Sequence, residues 1–131
     1  MGKGVKEMLA EASATVPRIS PDQAKAMIAK GDSVVVDVRD APEVWTTGKV
    51  KGALHISRGM LEFRADPELP SHDTALSKDK PVILYCGSGA RSALAGKMLK
   101  EMGYEAVYNL GGFKEWIESD GEIERPEIPN T

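Results

Sequence analysis

The chain is poor in the residues that staple or metallate a fold: among 131 residues there is one cysteine and there are two histidines. A lone cysteine closes no internal disulfide, and one thiol with two imidazoles, at spacings that form no zinc pattern, is too small a ligand set for a structural metal site. Neither a metal nor a cofactor is expected. Charge of one sign is lacking as well, with 17 Lys plus Arg against 20 Asp plus Glu and a formal net charge of -3. No global basic field recruits nucleic acid or an anionic membrane, so neither is an expected partner, and any anion site has to be local. Long apolar runs are absent: none approaches the roughly 20 residues that cross a bilayer. The opening MGKGVKEMLAEASA breaks its apolar positions with Lys3, Lys6, Glu7 and Glu11 and does not read as a signal peptide. With an unpaired thiol, these features lead to the expectation of a cytoplasmic protein in a reducing compartment.

What is present suits one domain with a buried core, since 41% of the residues are hydrophobic. Residues 1–16 read as an amphipathic extension, because Val5, Met8, Leu9 and Ala12 fall at helical spacing. A folded body follows over 17–119. Its first helix is announced by Ser20-Pro21-Asp22-Gln23, with Ser20 at the N-cap, Pro21 in the first turn, Gln23 as reciprocal cap, and Gly31 as the stop. Val34 to Val38 is a β-branched run too apolar for a half-exposed strand, with Asp37 its odd member. A helical turn over Ala41–Thr47, a brief strand over Ala53–Ile56 and a helical segment over Arg58–Arg64 come next, and 66–80 reads as a surface loop. Pro81–Tyr85 is a second buried strand, Ser92–Met102 a helix stopped by Gly103, Ala106–Leu110 a further strand, and Phe113–Ile117 a short helix. Residues 120–131 read as an irregular tail. Strands alternating with helices imply an α/β fold with a mostly parallel sheet covered on both faces, whose site lies beyond the carboxyl ends of the strands.

The single cysteine stands at one of those ends, in Leu84-Tyr85-Cys86-Gly87-Ser88-Gly89-Ala90-Arg91-Ser92. Gly87, Gly89 and the small Ala90 let the backbone curl tightly. A curl that joins a strand to a helix N-terminus turns several amide N–H groups toward one point, which makes an anion nest. A thiol at its edge feels those partial positive charges and the helix dipole, both of which favour thiolate. Such a nucleophile needs no neighbouring base, and His55 and His72 are assigned no role. The stretch GSGARSALAG begins like a dinucleotide fingerprint, but Ser92 occupies the third glycine position and the lysine of a P-loop is missing.

Three stretches together resemble the rhodanese family of single-domain sulfurtransferases: Val36-Asp37-Val38-Arg39-Asp40 with Glu43 and Gly48; Tyr85 to Ser92; and Asn109-Leu110-Gly111-Gly112-Phe113 with Trp116. With Gly52-Ala53, the likeness spans about Ile19 to Ile117. It implies a five-stranded, mostly parallel sheet wrapped by helices, with the loop from Cys86 to Arg91 cradling a persulfide. By this resemblance Cys86 is the catalytic nucleophile, taking sulfur from a donor such as thiosulfate and passing it to cyanide, a thiol or a protein acceptor. Gly87, Ser88, Gly89, Ala90, Arg91 and Ser92 form the substrate loop, Arg91 stiffening it or adding positive potential and Ser92 capping the next helix or donating to sulfur. Asp37, Arg39 and Glu43 are expected to brace the loops as a buried ionic network, and Gly111 and Gly112 to permit a tight turn after Leu110. Gly87 and Ser88 are neutral where thiosulfate-preferring relatives often carry a basic residue, which makes Arg58 and Arg64 candidate sources of positive charge.

Two other readings compete. Phosphatases and arsenate reductases of related fold also end a cysteine loop in arginine, but place it one residue further on than Arg91, giving a wider ring for a tetrahedral oxyanion. A catalytically silent module that binds another protein is the second, and the amphipathic N-terminal stretch would serve it.

Overall fold

The computed structural model describes residues 2–126. Its centre is a four-stranded, all-parallel sheet in the order β3-β1-β4-β5, with β1 Val34–Asp37, β3 Leu54–His55, β4 Val82–Cys86 and β5 Val107–Gly112. Side chains alternate across a strand, and β4 shows the result. Val82, Leu84 and Cys86 face one half of the core, with Val36, Val38, Leu61, Leu76, Ala95 and Leu99. Ile83 and Tyr85 face the other, with Ala24, Val50, Leu110, Phe113 and Trp116. Each of the five β4 side chains is fully buried, which explains the unbroken apolar run, and burying one of its larger aliphatic side chains contributes about 1.5–3 kcal/mol.

The fifth strand implied by the resemblance is reduced to one bridge. Arg18 pairs in parallel with Asn109, Ile19 N–H donating to Asn109 O at 3.0 Å and Asn109 N–H to Pro17 O at 2.9 Å. Helix α1 (Val5–Thr15) ends just before this segment and helix α2 (Pro21–Lys30) begins just after it. Too little chain lies between for a ladder, and Pro17 has no N–H to give one.

Helix α2 has the expected capping box, Gln23 N–H donating to Ser20 Oγ at 3.1 Å and Ser20 N–H to Gln23 Oε1 at 2.8 Å, and it ends at Gly31 with φ +88°. Helix α1 packs on α5 (Ala90–Glu101). Ala12 and Val16 are buried there while Val5 and Met8 stay exposed, so only the last turns of the amphipathic face are covered. After β3 come a 3-10 turn at Arg58–Met60 and α4 (Leu61–Ala65). The loop 66–80 does lie outside the sheet, but it is pinned by Leu76, which is wholly buried.

Two further differences concern the tail and α5. Ile123–Glu124 forms a strand, β6, antiparallel to β2 (Lys49–Val50), so the expected irregular tail is regular at this point, and residues 127–131 of it lie outside the described residues. The pairing is fastened by Lys49 Nζ, which donates to Glu124 Oε1 at 2.7 Å. Helix α5 starts at Ala90 rather than Ser92, with Gly89 at the N-cap, so Ser92 is no cap but lies inside the first turn. Among the described residues no helix is long and apolar enough to cross a membrane.

Candidate active site

Cys86 is the last residue of β4, and the N-terminus of α5 stands over its side chain. The turn between them brings Gly89 N–H to 3.0 Å from Cys86 Sγ, and the Ser92 hydroxyl oxygen lies 3.4 Å from the same sulfur. Residue Cys86 is fully buried. Burial by itself pushes the thiol up, but hydrogen bonding by the Ser92 hydroxyl and by the amides of Ser92, Gly89 and Ser88 outweighs it and holds Cys86 below the ordinary thiol range. Such an array can hold a thiolate, or a second anionic sulfur bound to it, without any side-chain base.

The turn needs its glycines for different reasons. Gly89 has φ +102°, a conformation that side chains rarely adopt. Gly112 passes so close beneath the turn that a Cβ on it would come 2.6 Å from Gly87 O. The glycine pair, expected to permit a tight turn after Leu110, instead forms the end of β5 itself. Register against β4 skips from Leu84↔Asn109 to Tyr85↔Gly111, leaving Leu110 as a bulge and Gly111 at φ +98°.

The Arg91 guanidinium lies over Gly87 and is engaged by a carboxylate rather than by the sulfur. Its Nη1 and Nη2 donate to Glu43 Oε1 and Oε2 at 2.7 and 2.9 Å, a two-pronged pair between the loop and α3 (Ala41–Thr47). The pair holds the Glu43 carboxyl down at about 2 and raises Arg91 further above its ordinary range. Glu43 thus braces Arg91 directly, and it also accepts from Asp40 N–H at 3.2 Å.

Asp37 and Arg39 form the buried ion pair on the other face, with Arg39 Nη2 2.7 Å from Asp37 Oδ2 and both side chains at most 3% exposed. Arg39 also donates to Thr47 Oγ1 and Gly48 O at 2.9 and 2.8 Å, and lies 4.4 Å from the Phe113 ring centroid. Burial works against the Arg39 charge, but hydrogen bonds and the charge of Asp37 more than restore it.

Asn109, which carries no assigned role on sequence grounds, ties the site together. Its Oδ1 accepts from Gly111 N–H at 2.9 Å and lies 2.7 Å from Ser92 Oγ, sharing the single hydroxyl proton there with Cys86 Sγ, and its Nδ2 donates to Gly89 O at 3.1 Å. The signal was available: a polar amide inside an otherwise apolar strand has to find partners. Arg58 and Arg64 form no hydrogen bond or ion pair with the loop. Arg58 donates to Glu62 Oε1 at 2.9 Å and lines a groove between α1 and α5, while Arg64 is exposed on α4. Among the described residues no cluster of three or more His, Cys, Asp or Glu side chains is arranged to ligate a metal.

The chain is similar to several known proteins. The thiosulfate sulfurtransferase GlpE of Pseudomonas entomophila is 36% identical over 101 residues, covering 76% of this chain and 83% of its own. The polysulfide-sulfur transferase homodimer of Wolinella succinogenes is 35% identical with a TM-score of 0.73, covering 91% of this chain and 85% of that one. A Rhodopseudomonas palustris protein of unknown function, named as a possible tyrosine phosphatase, is 37% identical with a TM-score of 0.86, covering 95% of this chain and 96% of its own. Residues 20–119 match the model of the Rhodanese-like domain, and with it the cysteine loop, the doubly covered parallel sheet and the glycine pair beneath the loop fall into one frame: the chain belongs to the rhodanese-like family of sulfurtransferases.

Proposed function

We propose that Cys86 carries a sulfane sulfur as a persulfide, taken from a donor such as thiosulfate and handed to a thiophilic acceptor, cyanide or a thiol. The Cys86 thiolate attacks the outer sulfur of thiosulfate, a new S–S bond forms, and the old one breaks with its electron pair leaving on sulfite. The terminal anionic sulfur of the persulfide then sits among the amides of Ser88, Gly89 and Ser92. An acceptor thiolate or cyanide attacks that terminal sulfur, and the Cys86 thiolate is expelled intact. One thiol suffices because no disulfide intervenes. The observation that carries this reading is the hydrogen bond from Gly89 N–H to Cys86 Sγ at 3.0 Å, with the Ser92 hydroxyl beside it. A cycle that begins from a free thiol suits a reducing compartment such as the cytoplasm.

Phosphate chemistry fits less well. A phosphatase needs its loop arginine to hold phosphoryl oxygens, and here that guanidinium is committed to Glu43 through both nitrogens. For the same reason the loop presents amides rather than a free cation, so a polysulfide, the substrate named for the Wolinella relative, is a natural donor to try beside thiosulfate. Intact-mass measurement after incubation with each donor tests the proposal. We expect the wild type to gain one sulfur, cyanide to remove it, and Cys86→Ala to gain none. Loading of neither protein by either donor, equal loading of both, or turnover of an aryl phosphate would overturn it.

A further inference from the structure

Arg18 belongs to none of the motifs that carry the family likeness, yet it lies against the sulfur loop. Residues paired across neighbouring strands project to the same face of a sheet, and Arg18 is paired with Asn109, whose side chain reaches Ser92 and Gly89. From the sheet edge its guanidinium extends over the end of β5. A Cβ on Gly111 would fall within that guanidinium, 2.7 Å from Nε, and a Cβ on Gly89 would lie 3.3 Å from Nη1 and 3.2 Å from Gly111 Cα. Nη2 is tethered by Glu115 Oε1 at 2.7 Å, on α6 (Phe113–Glu118), the helix that follows the glycine pair. Gly89, in turn, donates its amide N–H to the sulfur at 3.0 Å.

We propose that Arg18, tethered by Glu115, is a positioning residue for Cys86: its planar guanidinium clamps Gly89 against Gly111 and keeps the Gly89 N–H aimed at the sulfur. The inference rests on reading Cys86 as the reacting thiol. An exposed ion pair alone would contribute little and would leave the thiol untouched. The side chain is half exposed, at 51%, so removing it leaves no buried charge behind.

The pH profile of Cys86 alkylation by iodoacetamide tests the clamp without any sulfur donor, so its outcome is independent of persulfide loading. For Arg18→Ala we expect the rate at pH 6 to fall by about threefold or more as the thiolate fraction drops, with the high-pH limit preserved. Arg18→Lys keeps the charge but cannot lie flat, and should recover less than half of the loss. Glu115→Ala, an exposed change on α6, should show a smaller loss of the same sign, and it carries the test should Arg18→Ala fail to fold. An unchanged profile in Arg18→Ala, or in Glu115→Ala where that variant stands in, overturns the clamp. Full recovery by Arg18→Lys overturns it too, because charge alone would then explain the effect.

Discussion

Among the described residues Asn109 is the one side-chain amide buried in the core, and every polar atom it has is engaged. Replacing it by Ala orphans the Gly111 N–H in a site closed to water, while the Gly89 carbonyl keeps its bond from Ala93 N–H. An orphaned buried group costs about 1–3 kcal/mol, so Asn109→Ala should lose stability of that order in urea titration. Asn109→Asp is the sharper probe of chemistry, because it keeps the shape and sets a carboxylate beside the network that serves the sulfur. A like charge disfavours the thiolate, and one pKa unit corresponds to tenfold in thiolate fraction. We expect Cys86 alkylation at pH 6 to slow by about tenfold, with near-normal rates at high pH. Alkylation at pH 6 as fast as in the wild type would mean that Asn109 does not communicate with the thiol.

Between elements, the contact that seats α5 over the sulfur is made by a missing side chain. Gly96 lies within α5, where Ala would be favoured by about 1 kcal/mol on helix propensity alone. A Cβ there would approach both Val16 methyl groups at 2.9 Å and Val107 Cγ1 at 3.3 Å. Val16 is buried between α1 and the sheet and cannot swing aside, so overpacking outweighs propensity, and Gly96→Ala should destabilise by about 1–2 kcal/mol. In a Val16→Ala background the same change should become neutral or stabilising. Additive effects in that double-mutant cycle would show that the two elements do not meet as described. None of this was legible in the sequence, where Gly96 looks like a weak point in a helix. What could be read was local: Ser20 and Gln23 make their capping box from four consecutive residues, Gly31 and Gly103 stop helices, and Cys86 to Ser92 form the nest almost unaided. The Leu110 bulge, the β2–β6 pairing and the loss of a fifth strand to a single Arg18 bridge depend on partners far away in the chain. Asn109 and Arg18 fall in this second class, since their function is set by which neighbour the sheet gives them.

For the molecule as a whole, the parallel sheet separates two kinds of work. The sulfur chemistry proposed for Cys86 belongs to the α5 face, where that side chain projects, and the opposite face is held by Asp37 and Arg39 among Tyr85, Phe113 and Thr47. Tyr85 joins this second network through its hydroxyl, which accepts from Val50 N–H at 2.9 Å, while burial and the nearby Asp37 carboxylate push its phenol far up. Removing Arg39 strands a buried carboxylate, and breaking a buried pair from one side costs about 3–5 kcal/mol. Arg39→Met should therefore lower the urea midpoint substantially. Because β4 stands between that pair and the thiol, the nest should keep its geometry for as long as the variant remains folded. The midpoint of its alkylation profile is accordingly expected at the wild-type pH, in contrast to Arg18→Ala and Asn109→Asp on the other side. A midpoint that moved upward in folded Arg39→Met would show that the two faces are mechanically coupled through β4, and that the buried pair tunes the nucleophile as well as holding the fold.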